Sequence, residues 1–181
     1  IPHVLSNLSS LTVLELSFGN LKGNIPPEIG KLQKLSYFLL MDYQLSGSVP
    51  PTLGNIVALK KLVLSHNKLE GGMGFLSALS GCRQLERLIL NYNSFIGALP
   101  DHVGNLSTKL ISFIANQNKL TGRLPSTISH LSSLELLDLG YNQLTDLIPE
   151  SITMMETLVL LDISNYDILG PMTTKMGMLL G

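Results

Sequence analysis

The chain has 181 residues, 45% hydrophobic and 14% charged, with a formal net charge of −1 and no tryptophan. That balance excludes a disordered chain, since it supplies much apolar surface to bury and little charge to solvate. Near-neutral charge offers no basic excess for nucleic acid, the single cysteine excludes an internal disulfide while leaving the redox compartment open, and no apolar run approaches the ~20 residues of a membrane span.

Taken in order, the chain repeats itself. Leu14-Glu15-Leu16 returns as Phe38-Leu39-Leu40, Leu62-Val63-Leu64, Leu88-Ile89-Leu90, Phe113-Ile114-Ala115, Leu137-Asp138-Leu139 and Leu161-Asp162-Ile163, every 24 to 26 residues. Alternation with period 2 predicts short strands near 13–17, 37–41, 61–65, 87–91, 112–116, 136–140 and 160–164, leucines inward and the intervening residue outward. Behind each strand lies an Asn slot holding Asn67, Asn93, Asn118 and Asn142. A buried Asn amide can serve both a carbonyl and an N–H of the turn, so these residues predict a stacked ladder. Gly19, Tyr43 and Tyr166 interrupt the slot and predict looser turns toward both ends. A Gly slot follows (Gly23, Gly47, Gly71, Gly97, Gly122, Gly170, with Asp146 substituting once), where positive φ is expected. A Pro slot then stops pairing (Pro2, Pro26, Pro50, Pro100, Pro125, Pro149), and the return segment predicts a 3₁₀ or irregular convex side. One such unit cannot bury its own apolar face, so residues 1–181 are expected to stack as one array of about seven repeats.

Leu45-Ser46-Gly47-Ser48-Val49-Pro50-Pro51-Thr52-Leu53-Gly54-Asn55-Ile56 and Leu120-Thr121-Gly122-Arg123-Leu124-Pro125 resemble the plant-specific leucine-rich repeat. The resemblance implies an α/β repeat fold, a leucine-rich-repeat solenoid forming a right-handed superhelix. It has a concave parallel β-sheet and a second short sheet built from the L-x-G-x-I-P stretch. The third repeat carries Met73-Gly74 instead of I-P and is two residues longer, which predicts an interruption of that second sheet. Phe75 to Leu85, with Leu99-Pro100 and Gly104 to Leu110, resembles the ectodomains of cereal receptor kinases in the immune-receptor subfamily. This implies an extracellular sensing array, followed in the parent by a membrane span and a Ser/Thr kinase. The chain itself is expected not to be an enzyme and to need no cofactor. It opens and breaks off within repeats, at Ile1-Pro2 and Lys175 to Leu180, without the paired-cysteine caps of the family. That predicts end-to-end self-association through uncapped repeats.

Chemistry is sparse. His3, His66, His102 and His130 share no ligand spacing, so no metal site is expected. Gly71-Gly72-Met73-Gly74 lacks the Lys-Ser/Thr of a phosphate loop. Cys82 occupies a slot otherwise held by Leu8, Leu32, Ile56, Leu106, Leu131 and Met155, which predicts a buried core residue rather than a nucleophile. Asn7-Leu8-Ser9 and Asn105-Leu106-Ser107 are N-glycosylation sequons, placed so that glycans at Asn7 and Asn105 would leave the concave sheet free.

Function in a solenoid is expected on the concave face. One outward column runs Glu15, Leu39, Val63, Ile89, Ile114, Asp138, Asp162, and a second, at the strand ends, Phe18, Asp42, His66, Tyr92, Gln117, Tyr141, Asn165. Leu39, Val63, Ile89 and Ile114 predict an apolar stripe with Tyr37, Met41 and Tyr92 beside it. Lys61 and Arg87, in a third column, are suited to an acidic group. Charge is also divided along the axis: residues 1–123 hold 11 basic and 6 acidic residues, net +5, and residues 124–181 hold 1 and 7, net −6. The expected partner is a peptide or protein across the second to fifth repeats, with a possible co-receptor and no nucleic acid or direct membrane insertion. Two other readings are an enzyme inhibitor similar to the polygalacturonase-inhibiting proteins, and a truncated receptor acting on full-length partners.

Overall fold

The computed structural model describes residues 1–16, 21–42, 44–165 and 167–168. The expectations at Phe18, Gly19, Tyr43, Tyr166, Gly170 and the terminal broken repeat lie outside the described residues.

Strands, numbered in chain order, alternate between two parallel sheets. The concave sheet joins β1 (Val13–Glu15), β3 (Tyr37–Leu39), β5 (Lys61–Val63), β7 (Arg87–Ile89), β9 (Ser112–Ile114), β11 (Leu136–Asp138) and β13 (Leu160–Asp162) in that order. The second sheet joins β2 (Lys22–Gly23), β4 (Gln44–Gly47), β6 (Lys68–Gly72), β8 (Ser94–Gly97), β10 (Lys119–Gly122), β12 (Gln143–Asp146) and β14 (Asp167–Ile168). Five-residue 3₁₀ helices at His3–Asn7, Pro27–Lys31, Pro51–Asn55, Asp101–Asn105, Ser126–His130 and Glu150–Met154 form the convex side. An α-helix, α1 (Phe75–Leu79), the only one among the described residues, replaces the 3₁₀ helix in the third repeat.

The concave strands are in strict register, Leu14 opposite Phe38, Leu62, Leu88, Phe113, Leu137 and Leu161 in turn. The five inner members of this row are sealed: Phe38, Leu62, Leu88, Phe113 and Leu137 have no exposed surface. With about 1.5–3 kcal/mol gained per buried large aliphatic side chain, stacking rather than any single repeat holds the array. The regular strands are three residues long, not the five expected. Hydrogen bonding continues beyond them, from Leu40 N–H to Val63 O (2.8 Å) and from Asp42 N–H to Ser65 O (3.3 Å), until a left-handed residue turns the chain out of the pleat.

At that turn stands the Asn slot. Asn118 Nδ2 donates to Leu90 O (3.1 Å) in the preceding repeat and to Ala115 O (3.1 Å) in its own, while its Oδ1 accepts Phe95 N–H (3.0 Å). Asn67, Asn93 and Asn142 repeat the arrangement, reaching back to Leu40 O, Leu64 O and Ala115 O and accepting from Leu45, Leu69 and Leu120 N–H. The ladder expected from the sequence is therefore present, and each amide ties two repeats together.

One expectation fails. The second sheet is not interrupted at the third repeat: β6 pairs with both β4 and β8 and is the longest of its sheet. Pairing uses residues before the I-P position, so losing the proline removes a stop rather than a partner, and the strand runs on to Gly72 opposite Ile96. Met73 fills the vacated apolar slot at 2% exposure. The prolines in the other repeats open the 3₁₀ turns, as where Pro125 O accepts Ile128 N–H (3.2 Å). Beneath those turns, Gly104 lies where an added Cβ would strike the Thr127 carbonyl of the next repeat.

Two outcomes test this packing. Asn118→Ala leaves the buried Phe95 N–H without its acceptor and takes one of two amide donors from each of Leu90 O and Ala115 O, and urea unfolding is expected to show a loss of about 1–3 kcal/mol. A loss below about 1 kcal/mol would mean the ladder is not a principal constraint. Gly104→Ala is expected to destabilise by more than ~1 kcal/mol through backbone overlap between repeats, read in the same experiment.

Candidate ligand-binding face

The concave strands each present alternate side chains away from the core, and the third residue beyond the strand turns left-handed. Asp42, His66, Tyr92, Gln117, Tyr141 and Asn165 have φ of 52–61°. Non-glycine residues pay about 1–2 kcal/mol for that conformation; here backbone bonds secure it, such as Tyr92 N–H to Asn116 O (3.1 Å) and Tyr141 N–H to Ser164 O (2.8 Å). The effect is to project this column outward along one rim of the sheet.

Within the column the structure assembles a stack. The His66 and Tyr92 rings lie parallel at 4.2 Å, and His66 Nδ1 is 4.0 Å from Asp42 Oδ1. Tyr37, Tyr92 and Tyr141 are 41%, 44% and 52% exposed, so aromatic surface flanks the sheet on both sides. Gln117 is half-buried next to Tyr92 in the ladder.

The apolar stripe is less open than the sequence suggests. Leu39, Ile89 and Ile114 are half-buried as outward residues should be, but Val63 is only 1% exposed. Strands ~4.8 Å apart bring branched neighbours into contact, and the shorter valine is closed over between Leu39 and Ile89, its register partners. Val63 is therefore a core-like spacer, and the accessible apolar surface is Ile89 with Ile114, and Leu39 with Met41, also half-buried, beside Tyr37. Lys61 and Arg87 face each other in register at the strand starts.

A further column escaped attention in the sequence: Ser65, Asn91, Asn116, Gly140 and Ser164, the outward position just before each left-handed residue. The same alternation that placed Met41 would have found them. Ser65 is buried, and Asn91 Oδ1 and Asn116 Oδ1 are buried without hydrogen-bond partners.

Toward the sixth and seventh repeats the face turns acidic. Asp138 and Asp162 are register partners. Asp138 Oδ1 accepts Gly140 N–H (3.1 Å), and Asp162 Oδ1 accepts Ser164 N–H (2.8 Å) and lies 2.8 Å from where a Cβ on Gly140 would stand. Glycine thus leaves the space that the Asp162 carboxylate occupies. Burial raises the Asp138 carboxyl above its ordinary range, the Gly140 N–H opposes this, and the Asp162 charge adds to the rise. Elsewhere, burial pushes the Cys82 thiol up to about 11, and its Sγ reaches Leu53 O at 3.5 Å, the setting of a core residue and not of a thiolate nucleophile. Among the described residues, no group of three or more His, Cys, Asp or Glu is placed to hold a metal ion.

Two stability outcomes follow. Gln117→Val should destabilise by about 1–2 kcal/mol, because a β-branched residue tolerates positive φ poorly, whereas Gln117→Gly should stay within ~1 kcal/mol of wild type in thermal unfolding. For Asp138, the ionised form is less favourable folded than unfolded, so the fold carries a penalty at neutral pH that is relieved as pH falls through the raised folded value. Asp138→Asn should therefore raise Tm at pH 7, with the gain shrinking as pH descends through the carboxylate range; a gain independent of pH would contradict this origin.

Comparison with known proteins agrees with this architecture. Models described as leucine rich repeat match residues 108–168 and, separately, residues 10–32 and 84–106. The chain is 41% identical over 73 residues to the LRR receptor-like serine/threonine-protein kinase EFR of Arabidopsis thaliana, covering 40% of this chain and 7% of that protein. Among solved structures, the plant peptide hormone receptor RGFR1 in complex with RGF2 superposes with a TM-score of 0.93 at 32% identity, covering 99% of this chain and 28% of that one. The Arabidopsis receptor kinase HAESA, in complex with the peptide hormone IDA and the co-receptor SERK1, superposes at 0.91 with 28% identity, covering 99% and 30%. The chain thus spans less than a tenth of the length of the kinase it matches and under a third of these ectodomains. It is a leucine-rich-repeat solenoid, and its relatives are plant leucine-rich-repeat receptor kinases and receptor-like proteins.

Proposed function

We propose that this chain is a ligand-binding segment of the extracellular region of a plant receptor, taking a peptide or protein across the concave face of its second to fifth repeats. The observation that carries the reading is the make-up of that face: an Asp42–His66–Tyr92 stack along its rim and half-buried Ile89 and Ile114 on its strands. Exposed aromatic side chains beside apolar ones are the groups that carry most binding energy at interfaces. The strained left-handed column presents them on a rigid sheet. Tyr37, Leu39, Met41, Lys61, Arg87, Gln117, Asp138 and Tyr141 complete the contact surface, with Val63 supporting it from below.

Likeness to ectodomains solved with peptide hormones, in one case with a co-receptor, supports a peptide ligand and a second receptor chain as the partners. That both receptor kinases and receptor-like proteins are among the relatives supports a parent of one of those classes, and the resemblance of the Phe75–Leu85 and Gly104–Leu110 segments supports a role in defence signalling. Asn7 and Asn105 are exposed at the ends of 3₁₀ helices on the convex side, where glycans would not obstruct the sheet. Among the described residues no helix is long and apolar enough to cross a membrane.

The test is capture of peptides from apoplastic fluid by the immobilised chain, read by mass spectrometry. Ile89→Asp and Tyr92→Ala are expected to reduce the captured species at least tenfold while retaining the wild-type circular dichroism. Capture undiminished in both folded variants would overturn the concave site.

A further inference from the structure

Charge on the concave face is ordered, and the order is costly. Lys61 stands directly opposite Arg87, and Asp138 directly opposite Asp162. Like charges paired across neighbouring strands destabilise a sheet. Yet neither pair has an oppositely charged partner among the described residues, where the one acid–base contact on this face places Asp42 Oδ1 at 4.0 Å from His66 Nδ1. A fold that keeps two such pairs on an unpartnered face is expected where an occupant relieves both, the usual exchange of stability for binding. Between the pairs lie Ile89 and Ile114, half-buried and uncharged.

Resting on the peptide-binding reading above, and extending the occupied face from the fifth repeat to the seventh, we infer that the occupant is an extended peptide with a fixed order of charge. Its acidic group is held between Lys61 and Arg87, an apolar side chain lies over Ile89 and Ile114, and its basic group is held between Asp138 and Asp162. The basic pair brackets strands β5 and β7 at their first residues, and the acidic pair brackets β11 and β13 two residues further along. Three strand spacings of ~4.8 Å and two residues of ~3.3 Å place the pair centres roughly 16 Å apart, a span of about five residues of extended peptide. Arg87 can grip a carboxylate through two parallel hydrogen bonds, and the two aspartates, each with one oxygen already tied to a backbone N–H, leave their other oxygens for a guanidinium or ammonium. The ligand class is thus an acidic residue, an apolar residue and a basic residue in an extended segment, the acidic one toward the third and fourth repeats.

A random peptide library displayed on phage and selected on the full chain tests this directly. Selected sequences are expected to carry an acidic and a basic residue about five positions apart with an apolar residue between. The fourfold variant K61E/R87E/D138K/D162K, folded by circular dichroism, is expected to select the inverted charge order, and each wild-type-selected peptide should bind it at least tenfold more weakly. Selected peptides that depend on Ile89 but show no charge spacing, or that bind the inverted variant equally well, would overturn this inference and leave the concave binding site standing. Failure to select any peptide that depends on Ile89 would overturn both. Concentration-dependent dimerisation abolished by the inversion would assign the face to a second copy instead, and would likewise overturn the proposal.

Discussion

The structure depends on a side-chain amide inserted between successive turns. In each central repeat an asparagine donates to the carbonyls of two repeats and accepts a backbone N–H from the earlier one. Without it, the groups that strand and turn leave unpaired would be buried without water, which a marginally stable array could not carry at every repeat. The amide also dictates the backbone around it. To bring its side chain inward, the preceding residue must turn left-handed, and that turn closes the concave strand and starts the second sheet. The outward rim of His66, Tyr92 and Tyr141 is therefore a by-product of the core's hydrogen bonding, available for recognition without disturbing the fold.

Most of the architecture was legible because it is written redundantly. Strand positions follow from Leu-x-Leu, turn closure from Asn67 through Asn142, and positive φ at Gly47, Gly71 and Gly97 from the glycine slot. What could not be read depends on neighbours rather than on the residue itself. Val63 is outward by alternation, yet its burial depends on how the longer side chains of Leu39 and Ile89 lean. The third repeat's second strand survived because pairing precedes the I-P position, something visible only once the register of Gly72 with Ile96 is known. Asn91 and Asn116 were readable in principle, but attention to apolar and charged columns passed over them. The room that Gly140 leaves for the Asp162 carboxylate needed a missing side chain to be placed in space.

Recognition and stability are set against one another on the concave face. Left-handed non-glycine residues and like charges in register both weaken an isolated sheet. They are concentrated on the surface that no other part of the described chain covers. The convex side shows the opposite economy: Thr52 and Thr127 bond back to Pro27 O and Asp101 O at 2.6 Å, and glycines allow the turns to nest. One side of each repeat is optimised for stacking and the other is left free to vary.

The asparagine ladder is also directional. Asn67 clamps Leu40 and Leu45, and Asn93 clamps Leu64 and Leu69, so each amide secures the repeat that precedes it. On the ribosome, where chains emerge N-terminus first and fold as they lengthen, a repeat is not closed until the asparagine of its successor has been made. Growth of the solenoid is then vectorial, with the newest repeat always the least secured, and a stalled or prematurely ended chain presents one unlatched repeat whatever its length.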